Sequence, residues 1–107
     1  MEISNAMNAF NVDLQFSHQI DQKIKSGFKS LLQVVLDQAP SDAYCRALMT
    51  KGEDKFRVLV LIRSKEATFL SQEISTSPQA LLESIRTDLM DQIRRWRRVR
   101  DFSVAVS

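Results

Sequence analysis

Between Phe10 and Phe16 the apolar residues Phe10, Val12, Leu14 and Phe16 alternate with Asn11, Asp13 and Gln15, the period of a strand with one buried face. From about residue 18 to Gln38 the repeat lengthens. Ile20, Ile24, Phe28, Leu31 and Val35 fall on one helical stripe, widened by Leu32, with Lys25 and Lys29 beside it. Gly27 costs such a helix roughly 1 kcal/mol relative to alanine, and Ala39-Pro40-Ser41-Asp42 ends it. Residues 43–50 and 55–63 then read as two strands joined by Lys51-Gly52-Glu53-Asp54. Phe56, Val58, Val60 and Ile62 form the clearer buried row. A turn at Ser64-Lys65-Glu66 leads into a fourth strand over 67–75, with weaker alternation. Ser77-Pro78 opens a last helix, serine as N-cap and proline at the first helical position. Leu81, Leu82, Ile85, Leu89, Ile93 and Trp96 keep helical spacing along it.

The order is β-α-β-β-β-α, which predicts an α+β domain: a four-stranded mixed sheet with two helices on one face. The first two strands, joined through a helix, are expected to be parallel, and the next two to add as antiparallel hairpins. The opposite sheet face would stay open to water and carry Arg46, Arg57 and Arg63. This domain is placed at residues 10–101. Residues 1–9 receive neither fold nor function; Ser4-Asn5-Ala6 ahead of Met7 resembles a tag-cleavage remnant, so that segment is read as disordered or as derived from such a tag. Residues 102–107 form a tail in which Phe102, Val104 and Val106 alternate with Ser103 and Ala105. Two readings stay open for it: an added strand on a neighbouring sheet edge, giving self-association, or a frayed terminus.

Composition narrows the function classes. A chain of 107 residues that is 44% hydrophobic and 26% charged is an ordinary globular domain, with no apolar run approaching the ~20 residues of a membrane span. A cytoplasmic location is expected, without a membrane partner. One cysteine, Cys45, excludes an intrachain disulfide and lies in an apolar row with Ala43, Ala47 and Met49, which makes it a core residue. The lone histidine, His18, reads as a capping or surface residue. Two glycines make no phosphate loop, and no His/Cys set has metal-ligand spacing. The chain is therefore read as not an enzyme and as needing no cofactor or metal.

The charge that stands out is at the end of the last helix. Arg94-Arg95-Trp96-Arg97-Arg98-Val99-Arg100 holds five of the fifteen Lys and Arg residues of a chain whose net charge is only +2. Arginine is always charged, planar and able to donate two hydrogen bonds at once, which suits phosphate. The helix dipole would account for one or two such cations but not five. On a helical projection Arg86, Arg94, Arg97 and Arg98 share one flank, Arg95 takes the other, and Trp96 continues the apolar stripe as a core anchor.

The element order, together with a final helix reading Leu82-Glu83, Arg86, Asp88-Leu89, Asp91-Gln92-Ile93-Arg94-Arg95 and Arg97, resembles the ribosome hibernation promoting factor family, also called ribosome-associated inhibitor or sigma-factor modulation protein. The likeness spans about residues 10–101. It implies a βαβββα domain that binds the small ribosomal subunit near the decoding centre, through basic helix residues contacting ribosomal RNA, and holds ribosomes inactive without catalysis. Carried over to matching positions, it implicates Arg94, Arg95 and Arg97, with Lys25 and Lys29 on the first helix. Arg86, Arg98 and Arg100 join them from the charge cluster alone. A second reading, a protein-protein module of the same fold that has lost ribosome binding, is motivated by the carboxylates of Asp88 and Asp91 within this basic helix and by the alternating tail.

Overall fold

A computed structural model of the chain describes residues 12–17 and 20–106, with side chains as far as Phe102. Its elements are β1 (Val12–Phe16), α1 (Gln22–Gln38), β2 (Tyr44–Lys51), β3 (Phe56–Arg63), β4 (Thr68–Ser75) and α2 (Pro78–Val106). The assignments made for Phe10, Asn11, His18 and residues 1–9 lie outside the described residues. The strands form one mixed sheet in the order β1-β2-β3-β4. β1 is parallel to β2, with Leu14 beside Ala47, and β2, β3 and β4 run antiparallel in sequence, as the pattern predicts.

Both helices cover one face of this sheet. Phe28, Leu32 and Val35 of α1 and Leu81, Ile85, Leu89 and Ile93 of α2 are buried against Val12, Leu14, Cys45, Met49, Val60 and Ile62. The two strand-forming patterns explain the register. Residues two apart share a face, so Cys45-Ala47-Met49 and Phe56-Val58-Val60-Ile62 all turn inward. β4 breaks the pattern: Ser71, 2% exposed, points inward while Leu70 and Ile74 point to water. That inversion is why its alternation was weak in the sequence.

The second helix begins as Ser77-Pro78 predicts, with the Ala80 N–H donating to Ser77 Oγ at 3.2 Å. Its end differs from the expectation for residues 102–107. The helix continues through Val106, and no added strand forms. Between Pro78 and Ser107 there is no glycine or proline to stop it. Each further residue adds a hydrogen bond at little cost once a helix is nucleated, so five alternating residues cannot impose a strand. At 29 residues α2 is about 44 Å long, whereas an eight-residue strand spans about 26 Å. Its C-terminal turns therefore overhang the sheet, leaving Val99 and Phe102 exposed.

Candidate nucleic-acid interface

Helical geometry distributes the arginines of α2 around its axis, and their neighbours decide what each can do. Arg97 faces α1 and is half-buried; its Nη2 donates to the Gln38 carbonyl at 2.9 Å. Arg100 lies over the Trp96 ring at 4.9 Å from its centroid, and its Nη2 is 3.5 Å from Asp101 Oδ1. Arg94 is exposed and bridges to Asp91 at 3.3 Å. Arg86, Arg95 and Arg98 are exposed, and among the described residues none has an acidic partner within salt-bridge distance.

Trp96 is half-buried and meets Phe69 of β4 edge to face, centroids 6.2 Å apart. It packs against the core, as its place on the apolar stripe suggests. The cluster thus divides. Arg94, Arg95 and Arg98 reach outward, Arg97 ties two helices together, and Arg100 shields the tryptophan.

The two lysines of α1 do not join this group. A Cβ on Gly27 would lie 3.6 Å from Leu82 of α2, so the Gly27 side of α1 faces α2. Lys25 and Lys29 are each two residues away, about 200° round the helix. Lys25 instead sits over the Phe16 ring of β1, 5.4 Å from its centroid. The cations of α1 and α2 are therefore displayed on different flanks of the helical layer.

Asp88 is half-buried and turned towards β4. Its Oδ2 accepts the hydroxyl of buried Ser71 at 2.6 Å, and its Oδ1 accepts from Gln92 Nε2 at 3.2 Å. Gln92 in turn grips the backbone of β4, accepting the Leu70 N–H at 3.1 Å and donating to the Leu70 carbonyl at 2.7 Å. Of the two aspartates, Asp91 is exposed, whereas Asp88 is half-buried with its carboxylate engaged by Ser71 and Gln92. A surface pair such as Asp91–Arg94 contributes little and yields readily to a phosphate.

Among the described residues no group of His, Cys, Asp and Glu could hold a metal ion, and no helix is long and apolar enough to cross a membrane. Cys45 is buried; burial, and secondarily the Asp13 carboxylate, push its thiol up to about 12. Such a thiol is not a nucleophile at neutral pH. The sequence signals missed the partners of Arg97, Asp88 and Gln92, because a projection gives an angle but not what lies opposite.

No protein-family model matches the chain, and no curated protein matches it. Solved structures do. A ribosomal subunit interface protein from Coxiella burnetii superposes with a TM-score of 0.66 at 11% identity, over 80% of this chain and 96% of that one. What is shared is the fold. The Protein Y N-terminal domain from Thermus thermophilus gives 0.65 at 13% identity, over 78% and 93%. Both neighbours are of the hibernation-promoting-factor family that the sequence resembles.

Proposed function

We propose that this protein is a noncatalytic, ribosome-associated factor of the hibernation type. It occupies the small subunit near the decoding centre and inhibits translation through contacts of basic helix residues with ribosomal RNA. The observation that carries this reading is the fold likeness to two such proteins, one of them a ribosomal subunit interface protein matched over 96% of its length. The exposed arginines of α2 supply the matching chemistry. Arg94, Arg95 and Arg98 project from one end of a helix, each able to replace counterions on a phosphate backbone. Arg86 extends the same helix towards its start, and Lys25 and Lys29 offer a second, separate contact.

The competing reading, a protein-protein module without ribosome binding, drew on Asp88, Asp91 and the tail. Asp88 is bonded to Ser71, and the tail is helical. Both supports are weaker for it.

The test is sedimentation of a cell lysate through sucrose gradients at low and high salt. The chain is expected with small subunits or whole ribosomes at low salt and free at high salt. Changing Arg94, Arg95 and Arg98 together to alanine should abolish the low-salt association. Co-sedimentation indifferent to that change would sink the reading.

A further inference from the structure

The sheet face that no helix covers is apolar at its centre. Leu48, Leu59, Leu70 and Ile74 are 39%, 40%, 47% and 49% exposed, and Leu61 lies among them. The strand register makes them contiguous: Leu48 is opposite Leu59, and Leu61 is opposite Leu70. Three shallow grooves of about 500, 430 and 240 Å³ adjoin across this face. A set of aliphatic side chains held side by side on a rigid sheet costs free energy in water unless something covers it. Leu70 and Ile74 are outside because β4 turns Ser71 inward, so the fold spends apolar residues on this surface rather than in the core.

The rim is cationic. Arg46, Arg57 and Arg63 are all exposed on this face. Arg46 lies 3.7 Å from Asp13, while among the described residues neither Arg57 nor Arg63 has an acidic partner. Glu73 reaches the groove only at the β4 edge. These charges select the occupant. A second copy stacked on the same face would oppose arginines with arginines. A nucleic acid would find phosphate partners at the rim but aliphatic side chains at the centre, with Tyr44 at the corner as the one aromatic of the face among the described residues, where base stacking needs aromatic platforms.

We infer that this open face docks a protein partner: an amphipathic segment whose aliphatic stripe is flanked by carboxylates. The stripe covers the four leucines and Ile74, and the carboxylates meet Arg57 and Arg63. A helix laid along strands of about 26 Å would need about 18 residues. This surface lies across the sheet from the helical layer, so the inference stands independently of ribosome binding.

The probe is an 18-residue helical peptide with leucines at i, i+3, i+4 and i+7 flanked by glutamates, against a peptide with the same leucines flanked by lysines. Both are titrated into the full chain and followed by amide chemical shifts. The glutamate peptide is expected to shift Leu48, Leu59, Leu61 and Leu70 and to bind at least tenfold more tightly than the lysine peptide. Arg57→Glu with Arg63→Glu, at exposed positions whose change should leave the melt native, reverses that preference. Changing Arg95 and Arg98 to alanine leaves it intact. Equal binding of the two peptides overturns the inference. So do shifts confined to α2, concentration-dependent dimers lost on Leu59→Glu, or an RNA oligonucleotide that shifts the sheet face in the glutamate peptide's place.

Discussion

The guanidinium of Arg97 donates to the backbone carbonyl of Gln38 at 2.9 Å, fastening the last turn of α1 to the side of α2. That carbonyl is one of the acceptors a helix leaves unbonded at its C-terminus, where the dipole also favours a cation. The contact joins residues 59 positions apart. It makes Arg97 part of the packing, although the sequence counted it with the phosphate-binding arginines.

Arg97→Ala should accordingly lower stability by about 1.5–3 kcal/mol, the usual range for a hydrogen bond to a charged group. Arg95→Ala, at an exposed position without an acidic partner among the described residues, should stay within about 0.5 kcal/mol. Urea unfolding of the two variants separates the roles. Equal midpoints would show that the bond to Gln38 contributes nothing. Ribosome association should be lost in the opposite order, more by Arg95→Ala than by Arg97→Ala once folding is allowed for.

The basis of this division was only partly legible in the sequence. Element order, strand pairing and the outward placing of Arg46, Arg57 and Arg63 follow from two periods, 2 and 3.6, which fix sidedness locally. Ser77-Pro78 marked a helix start because its chemistry is confined to four residues. What failed was whatever depends on a neighbour distant in sequence. The sequence named Lys25 and Lys29 on the first helix without saying where they lie relative to the arginines of α2, and Gly27 turns the opposite side of α1 to that helix. Asp88 looked like a repulsive charge, yet it satisfies a serine buried on β4. The tail stayed open in the sequence for a different reason: Phe102 to Val106 fits both periods, and only the absence of a helix breaker favours the helix that forms.

Gln92 is the most exacting of these distant partners. It presents both its amide groups to Leu70, imitating the strand that β4 lacks on its outer edge. Gln92→Ala frees both backbone groups and removes one partner of Asp88. The Leu70 amide should then exchange with solvent at least tenfold faster, and stability should fall by about 1–2 kcal/mol. Gln92→Glu keeps the shape but loses the donor and sets a second carboxylate beside Asp88, so it should be no better. Unchanged Leu70 exchange in both variants would mean that this edge is protected by something else.

Gly27 offers a change in the other direction. It sits mid-helix in α1, and a Cβ there would meet Leu82 at 3.6 Å, an ordinary contact. Gly27→Ala should therefore recover the helical cost of glycine, about 1 kcal/mol. For a domain of this size that raises the melting temperature by about 4–8 °C. A lower melting temperature would show that α1 and α2 approach more closely than this contact distance implies.

Burial of Cys45 should make stability fall at alkaline pH. Buried between β1 and β3 and pushed up to about 12, its thiol stays protonated in the folded chain at a pH where the unfolded chain has already lost the proton. Above its ordinary value near 9.0 the unfolded state binds fewer protons than the folded one. By linkage, stability therefore falls as pH rises, by about 1.4 kcal/mol per unit through that window, and the thiol's contribution is fully present below it. Cys45→Ala removes the titrating group at the cost of a small cavity. The variant should be somewhat less stable at pH 8 and should lose less between pH 9 and 11 than the natural chain. The same burial predicts that a thiol reagent reacts at pH 8 only as fast as the domain opens, with the rate rising as urea is added. Parallel alkaline limbs in the two proteins, or immediate labelling without urea, would show that Cys45 is accessible in the native fold.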